Sequence, residues 1–295
     1  MKWSVLLLGC IPFVQGCEKK ISLELQTETP RLVVEASIEN NQPPSVILTR
    51  SLGYFSSITP EILEQGFVHG AEVFVSNGAV THRLKEYTVT LAPGVTGYFY
   101  SIDSSNLATA FLGALNKQYS LKIISEGKEY NSVTSIPDTT RQIDSLWWKP
   151  APGNDDTTKV VVMVRATDPP GFGDYIRYYT SINGQQEYLP PSFSVFDDLF
   201  IDGTTYEVQI QPGINRNAER DSIEYDFFSR GDTVRFKISN INKATYDFWR
   251  TWETSYSSVG NPFSSPVKVM GNISNNALGY FAGYGSQYRT LVIPQ

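Results

Sequence analysis

The sequence predicts a mainly β protein: an N-terminal immunoglobulin-like antiparallel β-sandwich, followed by a second antiparallel β-domain that carries one amphipathic helix. Three observations support this. Apolar and polar residues alternate over short segments, the period of a half-buried strand; Leu32, Val34, Ala36 and Ile38 interleaved with Val33, Glu35, Ser37 and Glu39 is the clearest case. Turn-forming pairs such as Asn77-Gly78, Asn183-Gly184 and Asp202-Gly203 punctuate these segments. Aromatic residues make up 13% of the chain and charged residues only 18%, a composition that suits the pleated surface of a β-rich exported protein.

The first element is a leader. Met1-Lys2 is a minimal basic start, Trp3 to Val14 is mostly apolar, and Val14-Gln15-Gly16-Cys17 reads as a lipobox before the charged Glu18-Lys19-Lys20. The apolar run falls well short of the roughly 20 residues that span a bilayer, so residues 1–16 are expected to be cleaved as a lipoprotein signal peptide. Leu7-Leu8-Gly9-Cys10 matches the same local pattern, but cleavage there would leave an apolar region at the short edge of what a signal needs. Cys17 is therefore the expected lipidation site, and its acyl chains, palmitate among them, would anchor the mature protein firmly. Residues 17–30 are polar, end in Pro30, and read as a lipidated tether.

Residues 31–137 are expected to form the sandwich. After the strand beginning at Arg31, Pro43-Pro44 breaks the pattern, and further strands are predicted at 46–49, 72–75, 80–84, 97–102, 119–125 and 128–135. Pro137-Asp138 marks the expected boundary, and 138–295 the second β-rich domain, with strands at 143–148, 159–166, 174–182, 205–210 and 233–238. One segment departs from the β pattern: Asn242 offers an N-cap, and Tyr246, Trp249, Glu253 and Tyr256 recur at helical spacing, so a helix is expected near 242–256. Its aromatics are read first as core, with a ligand cleft as the alternative.

Bulk charge narrows the partners. With residues 1–16 removed, 23 Lys+Arg face 30 Asp+Glu, and no basic cluster appears, so nucleic acid is not an expected partner. His69 and His82 are the only histidines, no Gly-x-Ser-x-Gly elbow occurs, and the mature chain keeps no thiol beyond Cys17. Nucleophilic catalysis and a histidine-based zinc site both lack their parts, and both histidines read as surface or turn residues. No catalytic residue, cofactor or metal is assigned. Asp168-Pro169-Pro170-Gly171-Phe172-Gly173-Asp174 has oxygen ligands suited to calcium, but it lacks regular acidic spacing and reads first as a rigid loop. Asp168, Asp174, Asp197, Asp198 and Glu253 are carboxylates that a glycosidase would need in a facing pair. Aromatics that stack on sugars or apolar ligands are better represented: Tyr188, Phe193 and Phe196 on a proline-rich loop, and Trp249 and Trp252 on the helix, are the ligand-binding candidates.

Several segments together resemble the domain-of-unknown-function 4249 family of outer-membrane lipoproteins in Bacteroidota. They are Gly16-Cys17-Glu18-Lys19, Arg31-Leu32-Val33-Val34-Glu35-Ala36, Pro43 to Thr49, Gly70-Ala71-Glu72-Val73, Gly231-Asp232, Asn261-Pro262-Phe263-Ser264-Ser265-Pro266 and Asn272-Ile273. The family's last signature continues into a glycine-rich turn, where this chain has Ser274-Asn275-Asn276-Ala277-Leu278. The resemblance implies a surface or periplasmic lipoprotein of the outer membrane, often encoded beside a TonB-dependent transporter. It implies a surface accessory for nutrient capture and brings no catalytic residues; a glycan or peptide is the ligand expected of the aromatic candidates. The rival readings are a surface hydrolase working through paired carboxylates and a structural or adhesive surface module.

Overall fold

The computed structural model describes residues 29–53, 59–92, 94–216, 226–261, 263–265 and 267–295. The leader 1–16, Cys10, Cys17 and the tether as far as residue 28 lie outside the described residues.

The protein is mainly β, with multiple antiparallel sheets. The first half contains β1 (Leu32–Glu39), β2 (Ser45–Arg50), a short helix α1 (Pro60–Gln65), β3 (Glu72–Ser76), β4 (Thr81–Ala92), β5 (Val95–Ile102), β6 (Lys117–Ser125) and β7 (Lys128–Ile136). The second half contains β8 (Gln142–Pro150), β9 (Lys159–Thr167), β10 (Tyr175–Ile182), β11 (Val195–Phe196), β12 (Thr205–Ile210) and β13 (Phe228–Ser229). It is completed by β14 (Thr233–Ile241), α2 (Lys243–Ser257) and β15 (Leu278–Val292). Turn chemistry explains the hairpins. Asn77 Oδ1 accepts from the backbone N–H groups of Ala79 and Val80, closing β3–β4. Glu126 and Gly127 both take positive φ, the backbone that a two-residue hairpin such as β6–β7 requires.

Helix α1 was not expected from periodicity. Its signal is local: Thr59 Oγ1 caps the N–H of Ile62 and Pro60 occupies the first turn. Helix α2 begins where its cap predicts, with Asn242 Oδ1 accepting from the Thr245 N–H at 2.9 Å.

Eleven strands form one continuous path, β11-β10-β14-β15-β1-β2-β5-β4-β3-β6-β7, and β8, β9, β12 and β13 form a second sheet. The long β4 pairs with β3 through Thr81–Arg83 and with β5 from Leu84 onward, so the path folds over itself. One core results from this folding: Val34, Ala36 and Ile38 of β1 meet Val73 and Val75 of β3 and Leu121 and Ile123 of β6. The other core lies between Val160, Val162 and Val164 of β9 and Ile176, Val234, Phe236 and Ile238 of β10 and β14.

Strand β15 ties the two halves together. Its residues 278–284 run parallel to β1, and 285–292 run antiparallel to β14. Phe281 thus enters the first core although the expected boundary near Pro137 lies far upstream in the chain. Residues 281–286 are all buried, so both faces of the strand are covered and glycine is needed where backbones approach. A Cβ on Gly283 would lie 2.2 Å from the carbonyl oxygen of Ser135, and one on Gly285 2.5 Å from that of Pro137.

Candidate functional site

The alternation that buries one face of β1 leaves the other facing a cleft of about 930 Å³. Val33, Glu35, Ser37 and Glu39 of β1, Tyr280 and Tyr284 of β15, Lys237 of β14, and Arg177 and Tyr179 of β10 form its floor. Phe248, Trp249 and Trp252 of α2 make one wall, and the 188–190 and 268–273 segments close the sides. The aromatic wall is continuous: Trp249 lies 5.0 Å from Tyr280 and 5.7 Å from Trp252, and Trp252 stacks on Tyr256 at 5.3 Å, centroid to centroid.

Arg177 holds this wall in place. Its guanidinium carbon sits 3.4 Å from the Trp249 ring centroid and 4.9 Å from that of Tyr179, a cation–π sandwich in a buried setting. Nε donates to Ser194 Oγ at 2.9 Å, Ser194 Oγ donates to Glu253 Oε1, and the Ser194 N–H donates to Glu253 Oε2 at 3.0 Å. The relay clamps α2 to β10 through the residue preceding β11. Burial raises the Glu253 carboxyl pKa, opposed by its bonds from Ser194 and by the charge of Arg177. Trp249 Nε1 is satisfied by Tyr284 Oη at 3.0 Å, which fixes the ring edge against the floor.

The cleft is amphipathic and holds charge of both signs. Lys237 pairs with Glu39 at 2.5 Å, and Tyr288 also donates to Glu39. Glu35 projects into the open cleft while protein surrounds it on most sides, and this desolvation raises its carboxyl pKa. Glu35 and Glu39 are four residues apart on β1, on the face that lines the cleft.

The model of the domain of unknown function DUF4249 matches residues 18–290. This chain belongs to the DUF4249 family. No curated protein matches it. Two of the segments that carry the resemblance, 31–36 and 272–273, supply cleft-lining residues: Arg31, Val33, Glu35 and Ile273. Asn272 mimics a strand partner for β15, donating to the Phe281 carbonyl at 2.9 Å and accepting from its N–H at 2.8 Å, while its own carbonyl takes the Ser132 hydroxyl. Next to it, Asn275 and Asn276 adopt φ of 54° and 57°, the left-handed conformation that asparagine tolerates best after glycine.

The structure brings Tyr188, Trp249 and Trp252 together in the cleft. Phe196 lies elsewhere, stacked on Tyr178 at the mouth of a narrower, mainly apolar slot of about 370 Å³ between the two sheets. Phe193 is 54% exposed and lines neither cavity. Sequence reasoning missed Arg177, Lys237, Glu35, Tyr280 and Tyr284. The polar face of β1 was a signal for Glu35; β15, which carries the two tyrosines, was not predicted as a strand.

His82 differs from its expected surface position. It is buried, accepts from the Asp103 N–H through Nε2 at 3.0 Å and bonds Thr109 Oγ1 through Nδ1 at 2.9 Å, a structural role in the first half. Desolvation lowers its pKa. His69 is exposed and contacts Glu86. For metal chemistry, the described residues bring together Asp168, Asp198 and Asp202, each with a carboxylate oxygen within 4.8 Å of the others. No helix among the described residues is long and apolar enough to cross a membrane.

Proposed function

We propose that this protein is an outer-membrane lipoprotein, anchored through acylated Cys17. In this reading it serves a TonB-dependent transporter as a non-enzymatic accessory that captures a nutrient, a glycan or a peptide. The observation that carries the reading is the aromatic cleft between α2 and the β10-β14-β15-β1 face. Trp252, Trp249, Tyr188 and Tyr280 give flat apolar surfaces for a sugar ring or a peptide side chain, and Glu35 and the Lys237–Glu39 pair supply polar partners. The anchor reading rests on the lipobox, and the transporter rests on what the family resemblance implies.

Affinity capture of the lipidated protein from membranes in mild detergent tests the partner. Recovery of a TonB-dependent transporter is the expected result. Repeated failure to recover one would overturn the partner while leaving the cleft to be tested by direct binding.

A further inference from the structure

We propose that Asp168, Asp198 and Asp202 form a calcium site that clips the loop after β9 to the loop after β11. Two independent observations carry this. The first is convergence: Asp168 and, about thirty positions on, Asp198 and Asp202 each place a carboxylate oxygen within 4.8 Å of the other two. Oxygens sharing one calcium at 2.3–2.6 Å lie at most about 5 Å apart, so the three can be ligands of a single ion. The second is an orphaned acceptor. Asp168 is 1% exposed, and Arg141 engages only its Oδ1, from Nε at 2.7 Å and from Nη2 at 2.5 Å. Asp168 Oδ2 is buried without any hydrogen-bond partner. A buried carboxylate oxygen left this way is costly unless a proton or a cation occupies it.

The other two carboxylates are held in position by backbone. Asp198 Oδ2 accepts from the N–H groups of Gly173 and Asp174 at 2.7 and 2.9 Å, and Asp202 Oδ1 accepts from Gly171 N–H at 2.5 Å. The loop after β11 thus grips the backbone of the loop after β9, which is preorganisation for a shared ligand. Charge balance also favours a divalent ion: Asp168, Asp198, Asp202 and the adjacent Asp174 face the single Arg141 guanidinium, an excess of negative charge that calcium offsets. Calcium suits the site better than magnesium. Magnesium demands near-ideal octahedral geometry at 2.0–2.1 Å, whereas calcium accepts carboxylates in flexible geometry at 2.3–2.6 Å, which three unevenly held aspartates can supply.

The test uses the full-length lipoprotein in detergent, stripped with a chelator and titrated with calcium chloride to about 5 mM, above the roughly 10⁻⁴–10⁻³ M range of extracellular calcium modules. Calorimetry should show saturable binding of one ion, and the melting temperature should rise with calcium. Asp202→Asn keeps the acceptor for Gly171 N–H, so it should fold normally without calcium yet lose at least tenfold in calcium affinity. Asp198→Asn should show the same loss. Absence of heat and of a melting shift in the wild type would overturn the site, as would wild-type affinity in Asp202→Asn. Equal stabilisation by magnesium chloride would overturn it too, because that is general charge screening. If a proton satisfies Asp168 Oδ2 instead, stability will be insensitive to calcium.

Discussion

Ser194→Ala is the sharpest perturbation of the clamp between α2 and β10. Ser194 is fully buried, and its hydroxyl accepts from Arg177 Nε at 2.9 Å while donating to Glu253. Alanine keeps the backbone N–H bond to Glu253 and removes both hydroxyl bonds, leaving a buried guanidinium and a buried carboxylate each short of a partner. A hydrogen bond to a charged group is worth about 1.5–3 kcal/mol, and two sharing one hydroxyl are not additive, so the expected loss is about 2–4 kcal/mol. For a chain of this size that is a fall of roughly 3–7 °C in melting temperature. The Ser194 bonds hold down a Glu253 carboxyl that burial pushes up, so the deficit should be full where Glu253 is ionised. It should shrink as pH falls through that raised value. Urea unfolding followed by tryptophan fluorescence at acidic and neutral pH reads both effects. A change below about 0.5 kcal/mol at neutral pH would refute the clamp.

Gly283→Ala should destabilise by at least about 1–3 kcal/mol, because its Cβ meets the Ser135 carbonyl at 2.2 Å and backbone must move; an unchanged urea midpoint would contradict the two-faced burial of β15. Glu35→Gln should match or exceed wild-type stability at neutral pH. Desolvation raises the Glu35 pKa above the ordinary carboxyl value of 4.5, so the folded state holds the proton longer and wild-type stability falls as pH rises through that window. The difference should close below pH 4.5, and a wild type more stable than the variant at neutral pH would reverse the sign. Cys17→Ser should release the protein from the membrane fraction on centrifugation; continued membrane association with acylation at Cys10 would move the lipid to the earlier cysteine.

Strands with strict alternation and flanking turns, such as β1, β6 and β7, were legible because one face is buried and the other wet. Helix α2 was legible from Asn242 and the spacing of its aromatics. Strand β15 was not, since both faces are covered: Gly279, Gly283, Gly285, Ala282 and Ser286 replace alternation with smallness, which in isolation resembles a loop. The cleft was half legible for the same reason. Trp249 and Trp252 announce a stripe, but the floor exists only once β15 seats between β14 and β1, a long-range arrangement invisible in any local window. Arg177 follows Ile176 in a predicted strand, and nothing local shows that a tryptophan from residue 249 will lie over it. The acidic cluster likewise joins Asp168 to residues about thirty positions on, rather than to Asp174, to which the sequence had pointed.

Direct binding by the cleft tests the central claim. Defined oligosaccharides and short extended peptides, titrated calorimetrically into the full-length lipoprotein in detergent, should include a binder for the wild type. Phe193→Ala, outside both cavities, should bind that probe equally, while Trp252→Ala should weaken it at least tenfold, about 1.4 kcal/mol. Binding that survives Trp252→Ala unchanged, or no binding by any probe of either class, would contradict a ligand-capturing role for this cleft.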